Sequence, residues 1–255
     1  MNLLRDYQKK AIEDIRYHFR RGKKKVLLVA PTGSGKTIIA CSMIEGAKKN
    51  FNFSLFMAHR RELVMQCSNK LSSFECPHGI LMAGKSPNPF ADVQVGSIQT
   101  FTARVERDDF IKPNAHVIFL DEAHRSTSDS FKKLLDQYPE AFVIGLTATP
   151  IRSDGKGLGN VYEELVEAGS IKELTDQGYL VKNKIVAPSI PDLQKVRVIA
   201  GDYDKKQLEN KMNKPKLVGD LVSHWTKYGE NRPTIVFATS IKHSKYICNI
   251  FNHNG

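Results

Sequence analysis

The stretch that decides the fold is Ala30-Pro31-Thr32-Gly33-Ser34-Gly35-Lys36-Thr37. An apolar run, 26–29, precedes it, and a helix-prone run, 38–41, follows it. A strand, a glycine-containing turn and then a helix form the context that a phosphate-binding loop requires, because glycines let backbone N–H groups curl round an anion. The alternative is a chance glycine-lysine loop that opens a helix. We predict a nucleotide site here.

Two side chains of this loop suit nucleotide chemistry. We expect Lys36 to bring a positive charge to the β- and γ-phosphates, and the Thr37 hydroxyl to bind Mg²⁺. The usual pattern begins with glycine, and Ala30 takes that position here. The other candidate nucleotide-binding residues of the loop are Pro31, Thr32, Gly33, Ser34 and Gly35.

Composition narrows the class of protein. The chain has 255 residues, enough to bury a sizeable core in one or two domains. Its formal net charge of +11 favours polyanionic partners, nucleic acid first and an acidic membrane second, although a merely basic enzyme is also compatible. Its four cysteines lack C-x-x-C spacing, which predicts reduced thiols. There is no signal-like start and no run of membrane-spanning length, so we expect a cytoplasmic protein without a membrane partner.

Apolar runs alternate with amphipathic patterns through the first 187 residues. Continuous apolar runs predict buried strands at 26–29, 53–58, 117–120 and 141–146. Shorter strand candidates lie at 80–82, 93–95 and 184–187. Helical spacing predicts helices at 6–20, from the loop to about 49, from about 60, and around 161–167 and 170–177. This alternation indicates an α/β fold with an open parallel sheet, whose ligands bind beyond the carboxyl ends of the strands.

The last part of the chain has a different composition. Residues 202–216 are polar and suit a linker with an exposed helix, and 217–225 predict another helix. The run 234–238 predicts a buried strand, followed by a helix to about 250. One strand and two helices are too few to cover a new sheet. We therefore expect a first domain at 1–187, a linker at 188–216 and the beginning of a second domain at 217–255.

The segment Asp121-Glu122-Ala123-His124 directly follows the predicted strand 117–120. Phosphoryl transfer needs a carboxylate on the metal and a group that orients or deprotonates water. Asp121 fits the first role, together with Thr37 as a metal ligand, and Glu122 fits the second. The catalytic candidates are therefore Lys36, Asp121 and Glu122. An ordinary acidic loop is the alternative for this tetrapeptide taken alone.

The segment Thr147-Ala148-Thr149-Pro150 follows the next strand in the same way. With these three motifs in order, the chain resembles the superfamily-2 helicases and translocases, over residues 4 to about 250. Among them it is most similar to the bacterial RadD and restriction-motor (ResIII-like) group and to phage-encoded DNA helicases, with Ile151-Arg152 supporting that subgroup. The resemblance implies a RecA-like fold, that of the P-loop NTPases, with ATP and Mg²⁺ as cofactors.

The same resemblance implies roles for further residues. It assigns adenine recognition to Gln8, with Arg5 nearby, although a plain amphipathic helix start also fits. The segments at 58–63 and 96–100 resemble motifs that contact a bound strand, through His59, Arg60, Arg61, Ser97, Gln99 and Thr100. The alternatives are a solvated basic turn at 60–61 and a helix cap at Thr100. Coupling of nucleotide state to the strand is implied for His124, Thr147, Ala148 and Thr149, although a structural loop histidine is the alternative for His124.

Together these features predict an ATP-dependent nucleic-acid helicase or translocase. The subgroup favours DNA, although the positive charge suits RNA equally. Residues 235–240 resemble the opening strand motif of a second motor domain, whose arginine fingers lie farther on and are absent from the 255 residues, so we expect weak activity. Two alternatives remain open: a nucleotide-gated clamp without turnover, and the motor subunit of a restriction complex.

Overall fold

The structure, a computed structural model, describes residues 4–86, 88–107, 111–151, 155, 157–186, 193–194, 196–199, 202–212, 215–230 and 232–253. It divides into two compact units, residues 1–182 and 183–255, which are described separately. The predicted marker residue Arg152 and the predicted domain boundary at 187–188 lie outside the described residues.

The first unit is built on a seven-stranded sheet. Its strands are β1 (Lys25–Val29), β2 (Ser54–Ala58), β3 (Gly79–Leu81), β4 (Val93–Ser97), β5 (Val117–Asp121), β6 (Phe142–Thr147) and β7 (Glu164–Glu167). They lie in the order β3-β4-β2-β5-β6-β1-β7, and every neighbouring pair is parallel. All carboxyl ends therefore meet at one edge, and the predicted parallel α/β fold is confirmed.

Helices cover both faces of this sheet. They are α1 (Asp6–Arg20), α2 (Lys36–Lys49), α3 (Arg61–Ser73), α4 (Ile98–Arg107), α5 (Asp129–Asp136) and α6 (Ile171–Asp176). One apolar core contains buried residues of α1, α2 and α3, among them Ile15, Ile44 and Leu71. The other contains Phe101 of α4 and Phe131 of α5. Because both faces are buried, the central strands are continuously apolar, which is why their sequence signal is strong.

Two elements predicted within residues 1–187 are wrong. Residues 161–167 were expected to be helical, but β7 pairs in parallel with β1, in register from Val26 and Glu164 onward. Only Val166 of β7 is buried, because β7 is an edge strand, and so short a segment carries no clear period. The predicted strand at 184–187 is also not formed in its described residues 184–186, where Ile185 is 84% exposed.

The second unit contains a short antiparallel pair and three helices among its described residues. These elements are β8 (Val198–Ile199), β9 (Asp202–Tyr203), α7 (Lys205–Met212), α8 (Pro215–Tyr228) and α9 (Ile241–His253). The predicted buried strand at 234–238 is wrong: the segment is irregular, with Ile235 83% and Phe237 93% exposed. A strand needs a partner to satisfy its backbone groups, and no described strand pairs with this segment.

All four cysteines are free thiols, as predicted. Cys41 of α2 and Cys67 of α3 are buried with their sulfur atoms 4.0 Å apart. The contact with Cys41, together with burial, raises the pKa of Cys67. Cys76 is also buried and Cys248 is exposed. Within the described residues, none of the helices combines the length and the apolar character needed to cross a bilayer.

Candidate functional site

The predicted phosphate-binding loop joins β1 to α2 at the carboxyl edge of the sheet. Gly33 and Gly35 have φ angles of +83° and +84°, a region that side chains other than glycine rarely adopt. A Cβ atom on Gly35 would also lie 2.6 Å from Gln8 Nε2. Because α2 begins at Lys36, its unpaired first-turn N–H groups belong to the loop. The loop can therefore offer several backbone donors to an anion.

Lys36 is folded back onto this loop. Its Nζ donates hydrogen bonds to the carbonyl oxygens of Ala30 (3.0 Å) and Pro31 (3.3 Å). Burial lowers the pKa of Lys36, and the nearby carboxylates of Asp121 and Glu122 oppose that shift. The lysine and the two acidic residues are therefore close enough to interact, although they are about 85 residues apart in the sequence.

The start of α1 is bonded to the underside of the loop. Gln8 is 2% exposed; its Oε1 accepts from the Arg5 backbone N–H (3.0 Å) and its Nε2 donates to the Ser34 carbonyl oxygen (2.9 Å). The Tyr7 hydroxyl donates to the same oxygen at 2.6 Å. The sequence analysis assigned no role to Tyr7, although it lies between the candidates Arg5 and Gln8. Arg5 itself is exposed.

Asp121 ends β5, and Glu122 precedes a short 3-10 turn, Ala123–Arg125. Asp121 is 7% exposed, and burial raises its pKa to about 6, although the Glu122 N–H that it accepts at 3.0 Å partly opposes this. Glu122 has φ +53°, a strained left-handed conformation for a residue other than glycine. Its Oε2 lies 3.2 Å from His124 Nδ1. Such backbone strain is concentrated at functional sites.

The Thr147–Thr149 segment closes on itself. Thr147 Oγ1 donates to the Thr149 carbonyl oxygen at 2.7 Å and accepts from the Thr149 N–H at 3.1 Å. The Ala30 N–H donates to the Thr147 carbonyl oxygen at 2.9 Å, which ties this turn to the phosphate-binding loop. The Thr147 hydroxyl is thus bonded to both main-chain groups of Thr149.

The two segments predicted to contact a strand lie side by side. Ala58 of β2 is paired with Ser97 of β4, so the residues that follow these strands emerge together. Gln99 Nε2 lies 2.7 Å from His59 Nδ1, and Ser97 Oγ donates to Gln99 Oε1 at 2.8 Å. Burial, then Arg125 and Arg60, lowers the pKa of His59. A neutral imidazole is therefore favoured, and its Nδ1 can accept from the amide.

Thr100 does not cap the following helix. Helix α4 begins at Ile98, so Thr100 lies inside its first turn, and the alternative with a cap at Thr100 is wrong. Ser97 precedes the helix, with its Oγ 3.5 Å from the Thr100 N–H. Arg60 and Arg61 are both exposed at the start of α3, where their charges oppose the helix dipole.

Two neighbouring cavities are lined by many of the predicted site residues. A cleft of about 950 Å³ is lined by Thr32, Gly33, Gly35, Lys36, Thr37, Ile38, Glu62, Leu63, Met65, Gln66, Asn69, Lys70, Ser73, Asp121, Glu122 and Ala148. The three separate motifs therefore meet in one space. A cavity of about 350 Å³ is lined by His59, Arg60, Glu62, Leu63, Glu122, His124 and Arg125. Because Glu62, Leu63 and Glu122 line both, the second cavity adjoins the first. Arg5, Gln8, Arg61, Gln99 and Thr100 line neither.

The oxygen ligands at the cleft suit a small divalent cation. Thr37 and the buried carboxylate of Asp121 both line it, and Mg²⁺ prefers one or two such ligands completed by phosphate oxygens and water. Across the part of the chain that the structure describes, no cluster of three or more His, Cys, Asp or Glu could hold a metal. A cation here would therefore depend on the phosphates of a ligand.

Arg125 and Glu62 were not singled out from the sequence. Arg125 lines the smaller cavity and contributes to the lowered pKa of His59, and Glu62 lines both cavities. Each directly follows a quoted motif residue, His124 and Arg61 respectively. That adjacency was the available signal, but only the sheet order brings the two segments into contact.

Residues 2–152 match the family described as "Type III restriction enzyme, res subunit". The chain is 30% identical over 273 residues to IRC3 of Saccharomyces cerevisiae, assigned as an ATP-dependent helicase. The alignment covers 99% of this chain and 39% of that protein. It is also 30% identical over 270 residues to the type I restriction enzyme EcoAI endonuclease subunit of Escherichia coli. This alignment covers 94% of the chain and 33% of that subunit. The chain thus spans less than half the length of these relatives.

A solved structure has the same fold. The helicase domain of Hef from Pyrococcus furiosus superposes with a TM-score of 0.56 at 20% sequence identity, covering 98% of this chain and 54% of that one. At this identity the similarity establishes the fold alone. The RecA-like character of the parallel sheet is thereby confirmed.

Proposed function

Since the chain belongs to the family of the type III restriction enzyme res subunit, we propose that it is the ATP-binding motor segment of an ATP-dependent nucleic-acid helicase or translocase. One observation carries this proposal. Lys36, Asp121, Glu122 and Ala148 come from three separate strand ends, yet line one cleft beside a loop that presents backbone donors. Family membership supports ATP as the nucleotide, and the superfamily-2 relatives support coupling of its hydrolysis to strand movement.

In this proposal the triphosphate lies along the loop. The N–H groups of residues 32–37 bind the phosphate oxygens, and Lys36 exchanges its bonds to Ala30 and Pro31 for the β- and γ-phosphates. Arg5, which is exposed, contacts the base, and Gln8 reaches the base by exchanging its present bonds to the Arg5 N–H and the Ser34 carbonyl oxygen. Thr37 and Asp121 hold Mg²⁺. The cation, when bound, neutralises charge on the β- and γ-phosphates.

Glu122 is the group that orients and deprotonates the attacking water. Its strained backbone points the residue away from the regular strand direction, and its carboxylate lies 3.2 Å from His124 Nδ1. His124 can hold that carboxylate in place and sense its state. Because both residues also line the smaller cavity, a change at the γ-phosphate can reach His59 and Arg60. Thr147, Ala148 and Thr149 provide a second route from the cleft.

The nucleic-acid surface consists of His59, Arg60, Arg61, Ser97, Gln99 and Thr100. Two exposed arginines at a helix start oppose the dipole, and this arrangement is more favourable when phosphates bind there. The His59–Gln99 contact makes one continuous surface of two segments. We propose DNA as the track, supported by the E. coli relative, which is named as an endonuclease subunit of a restriction enzyme. The domain division predicted from the sequence is retained as part of this proposal.

The decisive experiment measures ATP hydrolysis and ATP affinity of the chain with and without single-stranded DNA, and with RNA of the same sequence. We expect stimulation by DNA. Lys36→Ala should abolish ATP binding, whereas Glu122→Gln should bind ATP like the parent and lose at least about 100-fold in turnover. Equal turnover of Glu122→Gln and the parent would contradict the assignment of the water-activating residue. ATP-dependent DNA affinity without any hydrolysis would support the clamp alternative instead.

A second candidate function is the motor subunit of a restriction complex. The match to the res subunit family and the similarity to the EcoAI subunit favour it specifically. In that case ATP hydrolysis would require duplex DNA that carries a recognition sequence, read by a partner subunit. Stimulation by single-stranded DNA without any partner would argue against it.

A further inference from the structure

A hydrogen-bonded turn after α6 places Tyr179 beside the start of α1, next to the phosphate-binding loop. Helix α6 begins with a capping box, in which the Ser170 and Glu173 side chains bond to each other's backbone N–H groups. It ends at Asp176, and two residues later Gly178 has a φ of +75°. The N–H groups of Tyr179 (2.8 Å) and Leu180 (3.0 Å) then both donate to the Leu174 carbonyl oxygen. The position of Tyr179 is therefore set by backbone bonds.

Tyr179 packs on the start of α1. The guanidinium carbon of Arg5 lies 5.0 Å from the centre of its ring, and the Tyr7 ring meets it edge-on at 5.1 Å and 61°. The next residue, Leu180, lies against the loop, since a Cβ on Gly33 would be 3.3 Å from Leu180 Cδ2. Tyr7 in turn donates to the Ser34 carbonyl oxygen. The ring of Tyr179 is thus held in a fixed relation to the loop.

We propose that Tyr179 provides the aromatic surface on which the base of the bound nucleotide stacks, beside Gln8 and Arg5. This rests on the proposed ATP-binding function and adds a residue to it. Stacking on an aromatic ring stabilises binding of any base, and cation–π attraction to the Arg5 guanidinium helps to hold the ring of Tyr179 in place. Because Arg5 and Tyr7 already hold the ring, little side-chain freedom is lost when the base binds. Tyr179 is partly buried, and because Arg5 lies over one face of its ring, the base would stack on the opposite face.

Stacking by Tyr179 has a distinct specificity. Every purine has an aromatic face, so the ring contributes equally to ATP and GTP and nothing to a phosphate chain that lacks a base. This separates Tyr179 from Lys36, which acts on phosphates alone. It also separates a stacking role from a structural role, because structural damage to the loop would weaken binding of all three ligands.

The test measures the affinity of the full 255-residue chain for ATP, GTP and inorganic tripolyphosphate by titration calorimetry. Tyr179→Ala should weaken binding of ATP and GTP by roughly 5- to 100-fold and leave tripolyphosphate affinity unchanged. Tyr179→Phe, which keeps the ring, should bind all three like the parent. Thermal unfolding of each variant checks that the fold is retained.

Several outcomes would overturn the proposal. If Tyr179→Ala binds ATP like the parent, or loses tripolyphosphate affinity to the same extent as ATP affinity, the ring does not stack on the base. If Tyr179→Ala fails to fold, a loss of ATP affinity in Tyr179→Phe overturns the stacking role, and retention supports it. If the parent binds neither ATP nor tripolyphosphate, the proposed ATP-binding function itself is refuted. If the parent binds ATP and Lys36→Ala abolishes that binding, the proposed function stands even where the stacking role of Tyr179 fails.

Discussion

Gln99 Nε2 lies 2.7 Å from His59 Nδ1 and 2.9 Å from the His59 carbonyl oxygen. The two residues are 40 positions apart and follow the neighbouring strands β4 and β2. Because the pKa of His59 is lowered, its ring favours the neutral form that can accept this bond. Two segments that separately resemble strand-contacting motifs are therefore joined into one surface, which borders the smaller cavity at His59.

We predict that Gln99→Ala weakens binding of single-stranded DNA by about 2- to 12-fold, since one hydrogen bond contributes about 0.5–1.5 kcal/mol. ATP affinity in the absence of DNA should not change, because Gln99 does not line the cleft. Fluorescence anisotropy of labelled DNA at fixed salt measures this. Gln137→Ala, beyond α5 at the opposite edge of the sheet, is the matched control. Equal DNA affinity of Gln99→Ala and the parent would contradict the prediction.

Gly35 is required both for its positive φ and for the space beside Gln8, and comparison with Gly22 separates these two effects. Gly35→Ala adds both the strain of a positive φ and an overlap with Gln8 Nε2, whereas Gly22 has φ +82° with no atom within 4 Å of a built Cβ. We predict that Gly22→Ala lowers the free energy of unfolding by about 1–2 kcal/mol. Gly35→Ala should lose at least about 1 kcal/mol more, together with ATP affinity, because the Gln8–Ser34 bond breaks. Urea unfolding gives the comparison, and equal losses would be the contrary result.

Removal of each of the two hydrogen bonds to the Ser34 carbonyl oxygen should lower the free energy of unfolding by a different amount. Tyr7→Phe removes one donor but keeps the ring, and the oxygen retains Gln8, so we predict a loss of about 1 kcal/mol in stability. Gln8→Leu removes the other donor to this oxygen and also the acceptor of the Arg5 N–H, so we predict a loss of about 2 kcal/mol. Denaturant unfolding of both variants tests the order. A larger loss for Tyr7→Phe would show that the hydroxyl is the main anchor.

The raised pKa of Asp121 predicts that the free energy of unfolding depends on pH. Its pKa is raised from 3.8 to about 6, so the folded state binds the proton more tightly than the unfolded chain. The stabilisation is complete below about pH 3.8 and is lost as pH rises through about 6, with about 1.4 kcal/mol lost between pH 5 and pH 8. Asp121→Asn should lack this loss in the nucleotide-free chain. Unfolding free energies at the two pH values measure it, with the exposed Asp129→Asn as the control for removing one charge. Parallel pH profiles of Asp121→Asn and the parent would contradict it.

The sequence was most informative where both sheet faces are buried. The runs at 26–29, 117–120 and 141–146 are apolar throughout and became β1, β5 and β6, because burial of both faces favours apolar side chains along a strand. Strand order then brings Lys36, Asp121 and Ala148 to one cleft, as their positions after the strands predicted. Their chemical roles stay predictions.

The remaining features depend on tertiary contacts that leave little trace in local sequence. Tyr179 contacts Arg5, which lies 174 positions earlier in the chain, after a turn that contains the left-handed Gly178. Segment 161–167 pairs with β1 although only Val166 of β7 is buried. The run 234–238 has the composition of a buried strand, but composition cannot supply the partner strand that would bury it.

The contrast among the four thiols has a practical consequence. Cys41, Cys67 and Cys76 are enclosed in the core of the first unit, whereas Cys248 lies exposed on α9 of the second. A maleimide dye added to the native protein should therefore attach at Cys248 alone. The 255-residue chain thus already carries one accessible site for a fluorescent label, through which motion of the unit at residues 183–255 could be followed as nucleotide and DNA are added.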